Sequence, residues 1–444
     1  MNGLRFLPLI VLALLAALVA PSALAASTYY ASPSGSGTEC TQAKPCKVEY
    51  AAETKAQNGD GVVLEPGTYT LGESINVVAT IDLGGRAGAA APTIQTGSHN
   101  IVVSSITKST ATLHDFSMTG AGGLVLNYGN AERLYVGYTG TSSSACSVLG
   151  GGSLRDSVCW AHNPASFSNA LDVAVHGEKG TTVLRNDTLV AANQGGDGIH
   201  AEAREAFGDL SVDAASVIAK GAGIDVASSL GGGGLPAAIV SMANSDYATT
   251  EEEGAPLSTV TAPGTGGNLT TAPVFVDAAS GNFAEPAGAP TIDKGLSDSQ
   301  IGATDPLGNP RSLPACIGGT AVPDIGAYEF VPTVACSQPL PAPAPSNAIK
   351  LGRLVRNAKK GTAILLVTVP GPGQLSLGGK GLRKVTRAPK GAATLKLPVV
   401  PVGSAKRKLA ALGSLKLPVT VRFAPSGGSA AKKTRSVKLV ESLR

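Results

Sequence analysis

Two short hydrophobic patterns recur along the middle of the chain, each about once in every 20–30 residues. In the first, an apolar residue precedes a polar one, and it occurs at Leu113-His114-Asp115, Leu134-Tyr135, Leu154-Arg155-Asp156, Leu184-Arg185-Asn186 and Val212-Asp213. In the second, a small residue precedes an apolar-x-apolar triplet, and it occurs at residues 123–126, 145–148, 170–173, 198–201 and 223–226. Two interleaved repeats of this length are typical of a β-solenoid, in which each coil contributes short strands to a stacked core.

The repeats predict an all-β chain in which a right-handed parallel β-helix is followed by a small β-sandwich domain. Aromatic residues make up only 4% of the chain, because stacked Leu, Ile, Val and Ala can fill a narrow interior, and the 56 glycines suit tight corners. An antiparallel β-sandwich is the alternative for the central region, but its hairpin dipeptides are not regularly spaced here. We expect a solenoid of about six to nine coils.

The first 25 residues have the pattern of a cleaved signal peptide. Arg5 precedes a short apolar run, and Ala23-Leu24-Ala25 has the small-x-small form of a cleavage site. The run is too short to span a bilayer comfortably, and no second long apolar segment follows. We therefore expect a secreted protein with no membrane span in its mature form.

Changes in composition divide the rest of the chain into four parts. The predicted parts are an entry cap with a short helix at 26–60, the β-helix with its exit segment at 61–330, a Pro/Ala linker at 331–346 and a basic β-sandwich at 347–444.

The six cysteines form three couples that are close in sequence. An even number of cysteines in an exported chain favours disulfides. Although 15 connectivities are possible for six cysteines, locality favours one: Cys40–Cys46, Cys146–Cys159 and Cys316–Cys336. The spacings match no zinc motif, so no metal site is expected.

Charge is distributed very unevenly along the chain. Residues 346–444 hold 21 Lys and Arg against one acid, Glu441, a net charge of +20, whereas residues 1–345 hold 14 basic and 30 acidic residues, a net charge of −16. The basic domain is expected to attract anionic polymers of the cell wall. Its charges look scattered and are not interleaved with aromatic residues, so a specific nucleic-acid interface is not expected.

Motifs at both ends of the central region carry a resemblance to a known family. The entry reads Tyr29-Tyr30-Ala31-Ser32-Pro33 and then Gly59-Asp60-Gly61-Val62-Val63-Leu64, and the exit includes Asp305-Pro306-Leu307-Gly308-Asn309 and Asp324-Ile325-Gly326-Ala327-Tyr328-Glu329. These segments resemble exported bacterial β-helix proteins of the pectate-lyase-like superfamily. The basic domain resembles, more weakly, the Lys-rich immunoglobulin-like modules of actinobacterial exported proteins. Both resemblances imply an extracellular, cell-wall-associated protein, and the charged residues of the exit block are expected to make turn and end-cap contacts.

The repeat alignment places polar residues in two rows on the solvent face. One row contains Val125, Ser147, Asp172, His200 and Asp225, and the other contains His114, Tyr135, Arg155, Arg185 and Asp213, with coils about 4.8 Å apart. The functional interpretation is a polysaccharide-binding ladder formed by Asp172, His200, Asp225, Arg155 and Arg185. The competing interpretation is that these residues are only the polar face of a sheet. Trp160, which follows Cys159, is expected to pack on a disulfide.

Two classes of function remain open at this stage. The first is a surface-associated β-helix that binds polysaccharide or has a structural role in the envelope. The second is a polysaccharide lyase or glycoside hydrolase. In the lyases that the chain resembles, Lys or Arg removes a proton from a uronate and acids hold Ca²⁺. Arg155, Arg185 and Lys179 are the nearest candidates for that base, and Asp172 with Asp225 would be a weak Ca²⁺ site.

Overall fold

The computed structural model describes residues 26–104, 111–141, 143–175, 179–204, 208–231, 236–336 and 344–442. The predicted signal peptide lies outside these residues. The chain divides into two compact units, Met1–Leu340 and Pro341–Arg444.

The regular secondary structure of the first unit consists almost entirely of short strands. Its strands are β1 (Thr28–Ala31), β2 (Gly61–Leu64), β3 (Thr68–Thr70), β4 (Ile75–Val77), β5 (Asp82–Gly85), β6 (Thr93–Gly97), β7 (Ile101–Ser104), β8 (Thr112–His114), β9 (Ser117–Gly120), β10 (Leu124–Asn127), β11 (Asn130–Glu132), β12 (Tyr135–Tyr138), β13 (Cys146–Leu149), β14 (Gly152–Arg155), β15 (Val158–Ala161), β16 (Leu171–Ala174), β17 (Gly180–Arg185), β18 (Thr188–Ala191), β19 (Ile199–Arg204), β20 (Leu210–Ala215), β21 (Ile218–Lys220), β22 (Val226–Gly231), β23 (Ala238–Ala243), β24 (Thr250–Glu252) and β25 (Ser258–Val260).

These strands form three parallel sheets. Sheet 1 has the order β1-β2-β5-β8-β11-β14-β17-β20-β23-β25, sheet 2 has the order β21-β18-β15-β12-β9-β6-β3, and sheet 3 has the order β24-β22-β19-β16-β13-β10-β7-β4. Strands β2 to β22 visit sheets 1, 2 and 3 in turn, which makes seven complete coils, and β23 and β24 continue into an eighth. The predicted parallel β-helix is confirmed.

Alternation within each strand builds the core. In sheet 3, the inward positions of successive coils are apolar and fully buried, and they stack as Ile101, Leu124, Cys146, Leu171, Ile199 and Val226. Stacking of this kind removes apolar surface from water in every coil, which is the main favourable contribution to folding. Because side chains alternate, the residue between two inward positions must point outward.

A stacked corner joins sheet 1 to sheet 2. The residue after the sheet 1 strand has a left-handed backbone in six successive coils, with φ between 45° and 59°, at Asp115, Arg133, Asp156, Asn186, Ser216 and Asn244. Asp and Asn adopt this conformation more readily than most residues, because their short polar side chains can bond locally. The corner therefore turns the chain in the space of two residues.

Short helical turns and disulfides complete the first unit. Helix α1 (Val48–Tyr50) continues as a π-helical turn (Ala51–Lys55) that packs beside β1 and β4. The structure pairs Cys40 with Cys46, Cys146 with Cys159 and Cys316 with Cys336, which are the three couples expected from the sequence. The second of these links sheet 3 of one coil to sheet 2 of the next.

The exit segment, residues 270–336, runs along the side of the β-helix. It contains one 3₁₀ turn (Ala278–Ser280) and no strand. Its backbone reaches the stacked corner in successive coils, where Asn186 donates to the Asp324 carbonyl at 2.9 Å and Asn244 donates to the Lys294 carbonyl at 3.1 Å. The expected turn contacts are present, since Asp305 accepts from the backbone of Leu307 and Asn309. In place of end-cap contacts, the exit segment covers the lateral surface of the β-helix at this corner.

The second unit is a small antiparallel β-sandwich, as the sequence predicts. One sheet has the order β26-β27-β30 and the other β29-β28-β31-β32. The elements are β26 (Lys350–Asn357), β27 (Thr362–Val369), β28 (Gly373–Gly378), β29 (Val385–Arg387), β30 (Ala393–Val399), α2 (Gly403–Leu412), β31 (Ser414–Pro425) and β32 (Ala431–Val440). A core that includes Leu365, Leu377 and Phe423 lies between the two sheets.

Candidate functional site

The outer face of sheet 3 carries the first predicted row. The register aligns Val125, Ser147, Asp172 and His200 on successive strands, as the repeat alignment predicts. These side chains are partly exposed to solvent. Sheet 3 therefore presents a polar column at its centre.

Asp225 does not belong to this column, contrary to the prediction. The residue opposite His200 is Ala227, because β22 begins at Val226 and the repeat is shifted by two residues in this coil. Asp225 is only 6% exposed. Its carboxylate accepts hydrogen bonds from the backbone of Gly221, Ala248 and Thr249, so its role is to hold turns together.

Asp172 belongs to a hydrogen-bonded network that reaches the loops before the strands. Ser144 and Asn169 donate to its two carboxylate oxygens, the latter at 2.7 Å. The Asn169 side-chain oxygen in turn accepts from the Asp197 backbone N–H at 2.7 Å. The Asn169 side chain thus links loop 162–170 to loop 192–198 and both loops to Asp172.

His200 extends the same network by two further contacts. Its Nδ1 lies 3.1 Å from Asp197 Oδ2, and its Nε2 lies 3.4 Å from Ser229 Oγ on the next strand. Asp197 is held in place because its other oxygen accepts from the Ile224 backbone N–H at 3.1 Å. A continuous polar network therefore runs from Ser144 to Ser229 across four coils.

The surrounding carboxylates determine the protonation of His200. The hydrogen bond to Asp197 raises the pKa of His200 above its usual value, and the charges of Asp172, Asp197 and Glu202 add to the effect against partial burial. Ser229, His200 and Asp197 have the connectivity of a Ser–His–Asp triad, but a general base must be unprotonated. The raised pKa shifts His200 toward the imidazolium, a form in which both ring nitrogens are donors and Nε2 faces Ser229 Oγ.

An exposed aromatic ring lies in loop 162–170, which also contains Asn169 of this network. Phe167 is 67% exposed, and it is the only Phe in the described part of the chain with such exposure. The ring lies close to the backbone of the next loop, since a Cβ at Gly195 would be 3.0 Å from it. Phe167 was not among the residues predicted from the sequence. A Phe among Ser, Asn and Pro residues would, however, indicate an exposed aromatic side chain in a loop.

The predicted basic residues of the ladder do not reach the sheet 3 face. Arg155 and Arg185 lie opposite each other on sheet 1. Arg185 is 5% exposed and donates to Asp213 Oδ2 at 2.9 Å and to Asp298 Oδ2 at 2.8 Å. Arg155 donates to Glu132 and to the Gln300 carbonyl. Both guanidinium groups contact the exit segment, so the structure does not bring them together with Asp172 and His200.

The second predicted row is also altered by the observed register. Glu132, and not Tyr135, lies between His114 and Arg155 on sheet 1, because Tyr135 belongs to sheet 2. Asp213 pairs with Val183 and is two residues away from the row. His114 lies 3.1 Å from Asp82 and 2.7 Å from Asp115, which together raise its pKa.

A buried charge cluster fastens the exit segment at the corner. Arg311 donates to Asp156 at 2.8 Å, and both side chains are almost fully buried. Burial raises the pKa of Asp156 to about 6 in spite of this contact. Asp324, which accepts from the backbone of Asp293 and Phe330, is also buried, and desolvation raises its pKa to about 8.

Trp160 packs against the exit segment, not against the neighbouring disulfide. Its ring stacks on His162 with centroids 3.6 Å apart and meets the edge of Phe283 at 5.6 Å. Ala327 belongs to the same cluster. At 9% exposure, Trp160 is not available as a platform for a sugar.

The predicted Ca²⁺ ligands are not brought together. Asp172 faces outward, whereas Asp225 is buried within the loops around Gly221 and Thr249. Among the described residues, no three His, Cys, Asp or Glu side chains form a group that could hold a metal ion.

No protein-family model matches the chain, and no curated protein sequence matches it. Within the part of the chain that the structure describes, no helix is long and apolar enough to cross a membrane.

Proposed function

We propose that this is a secreted protein of the cell envelope whose β-helix binds polysaccharide on the outer face of sheet 3. The observation that carries the proposal is the exposed Phe167 ring, which lies close to Gly195 in the two loops that also supply Asn169 and Asp197 to the polar network of Asp172 and His200. Sugars present both apolar C–H faces and hydroxyl groups. A site of this kind combines an aromatic surface with fixed polar groups that set orientation.

The charges around this site favour a neutral polysaccharide over an acidic one. Asp172, Asp197 and Glu202 surround the single imidazole of His200. The two arginines that would have attracted a uronate are engaged by the exit segment. Carboxylates accept hydrogen bonds from sugar hydroxyl groups, whereas they repel the carboxylates of uronates.

Export and attachment to the envelope are parts of the same proposal. Three disulfides fit an oxidising compartment. The entry and exit motifs resemble those of exported β-helix proteins of the pectate-lyase-like superfamily, and the basic sandwich resembles modules of actinobacterial exported proteins. A domain with a net charge of +20 is suited to keep the protein near an anionic cell-wall polymer.

Catalysis is a weaker alternative, because its candidate groups are separated or engaged. A lyase would need Arg155 or Arg185 on the ligand face, and a hydrolase of the predicted kind would need Asp172 and Asp225 facing one groove. Arg155 and Arg185 lie on sheet 1, where they contact the exit segment. Asp225 lies outside the column of Asp172 and His200. We therefore assign the sheet 3 face to binding.

The experiment compares polysaccharide binding by two matched variants of the mature protein. Phe167→Ala removes a side chain that is 67% exposed at the site, and Leu307→Ala removes one that is 68% exposed in the exit segment. Binding to a panel of neutral and acidic polysaccharides is measured by affinity electrophoresis, and products are analysed for cleavage. We expect Phe167→Ala to weaken binding to a neutral polysaccharide by about tenfold, equivalent to about 1.4 kcal/mol, and Leu307→Ala to leave it unchanged.

Three outcomes would contradict this proposal. They are equal losses in the two variants, preference for the acidic polymers, and binding that persists when Asp172→Asn and His200→Gln are combined. Cleavage of any polysaccharide by the wild type would move the protein into the enzymatic class.

A further inference from the structure

Part of the positive charge of the sandwich is aligned on one sheet face, although the sequence alone suggested scattered charges. On β31 and β32 the odd-numbered residues Val421 and Val437 are buried, so the even-numbered residues point outward. Four of the outward residues are exposed cations, and we call this group the basic face: Lys416, Arg422, Lys432 and Lys438.

The cations of the basic face are paired with one another across the two strands. Lys416 lies opposite Lys438, and Arg422 lies opposite Lys432. Between these two rungs, Thr420 and Thr434 lie opposite each other with their hydroxyl oxygens 2.9 Å apart. Like charges placed directly opposite destabilise a sheet. The pairing of these cations therefore does not stabilise the sheet.

No acidic side chain compensates these charges. Glu441 is the only acid of residues 346–444, it follows the end of β32, and it forms no ion pair among the described residues. The opposite face of the sandwich has its cations farther from its centre. Its central strand β27 points the uncharged Ile364, Leu366 and Thr368 outward, and the exposed Lys350 and Lys396 lie opposite Thr368 and Leu366 on the two flanking strands.

We infer that the basic face binds a linear anionic polymer other than a nucleic acid, an inference that rests on the attachment role proposed for the sandwich. The two rungs are six residues apart, or about 20 Å at the rise of a β-strand. A small anion cannot contact both rungs, whereas an extended polyanion can. Exposed Lys, Arg and Thr donors suit phosphate or carboxylate oxygens.

The chemistry of the face argues against nucleic acid as its ligand. Proteins that hold single strands combine a basic groove with aromatic side chains on which bases stack. The outward residues of β31 and β32 include Pro418, Thr434 and Ser436 and no aromatic residue, since Phe423 points into the core.

The test uses the full mature chain, with sodium polyphosphate as a phosphate polymer and polygalacturonate as a carboxylate polymer. The face variant changes Lys416, Arg422, Lys432 and Lys438 to Gln. The control variant changes Lys359, Lys360, Lys406 and Lys408 to Gln, which removes the same charge from exposed positions outside the face. Affinities are measured at several NaCl concentrations, with single-stranded DNA as a third ligand.

We expect the face variant to lose at least tenfold in affinity for one or both polymers, and the control to lose less than about threefold. The slope of log K against log salt should become shallower by roughly 3 in the face variant, because about 0.7–0.9 counterions are released per neutralised charge. The melting temperature of the face variant should not fall, because like charges have been removed from opposite positions. The two polymers together distinguish a phosphate from a carboxylate ligand.

Equal losses in the two variants would overturn the inference, since net charge alone would then explain binding. Tighter binding of DNA than of either polymer would also overturn it. Binding of a neutral polysaccharide is measured in the same samples. If that binding persists while polyanion binding is absent, the basic face fails and the proposed function of sheet 3 stands.

Discussion

Sheets 1 and 3 of the β-helix carry polar side chains at equivalent outward positions, but the exit segment covers those on sheet 1 and leaves those on sheet 3 partly exposed. Arg185 on β17 is buried beneath the exit segment and donates to Asp298. His200, on β19 of the same coil, stays partly exposed within a network that ends at Ser229. Both positions follow the same alternation of strand residues. The covering segment therefore decides which polar row is structural and which is available to a ligand.

The polar row predicted on sheet 3 stays exposed and the row on sheet 1 is covered, and the two rows therefore have different requirements for hydrogen-bond partners. A charge beneath a covering segment needs partners for its donors, because an unpaired buried charge is costly. Asp213 and Asp298 supply such partners for Arg185. A polar residue on the uncovered face needs no such compensation, and its remaining hydrogen-bonding capacity can be used by a ligand.

The largest expected effect comes from breaking the buried ion pair of the covered side. Arg311→Ala leaves Asp156 buried without its partner and should lower the free energy of unfolding by about 3–5 kcal/mol. The matched control is Arg204→Ala on sheet 3, where the pair with Glu202 is largely exposed and its loss should cost about 1 kcal/mol or less. Urea unfolding measures both. Similar losses in the two variants would contradict the difference between the covered and uncovered sides.

A smaller loss of stability is expected when the pH is raised above neutrality. The pKa of Asp324 is raised to about 8 in the folded protein from an ordinary value of 3.8. A carboxyl group with a raised folded pKa contributes stability that is fully present below its unfolded pKa and is lost as pH rises through its folded pKa. Between pH 7 and pH 9 the stability of the β-helix unit should therefore fall by about 1 kcal/mol.

Thermal unfolding at a series of pH values tests this sign. Asp324→Asn should flatten the decrease between pH 7 and pH 9, because the side chain no longer ionises. A decrease of the same size in Asp324→Asn would assign the effect to other groups.

The smallest expected effect concerns the protonation of His200 on the uncovered side. Asp197→Asn removes the carboxylate that contributes most to the raised pKa, so the pKa of His200 should fall. Asp225→Asn is the control, because Asp225 is not among the groups that shift the pKa of His200. An NMR titration of the imidazole measures both variants. A shift in the control that matched the shift in Asp197→Asn would restore Asp225 to the polar column.

Much of the fold and part of the site follow from the sequence. The apolar-x-apolar repeat correctly aligned Val125, Ser147, Asp172 and His200, because strand alternation is local and each coil repeats it. The alignment failed at Asp225, where a shift of two residues preserves the alternation and is invisible in the pattern. Phe167 and Asp197 lie in loops of irregular length, so no repeat points to them.

By itself, the sequence determined the stacking of coils, the local disulfide couples and the opposite charges of the two units, since alternation, spacing and composition are properties of the chain. Only the tertiary structure decided which faces of these elements are covered. For example, Arg155 donates to the carbonyl of Gln300 in the exit segment, and these two residues are 145 positions apart along the chain. Contacts between such distant segments depend on the register and path of every intervening coil, so no local pattern encodes them. For the same reason, the alignment of four cations on the basic face depends on the pairing of β31 with β32.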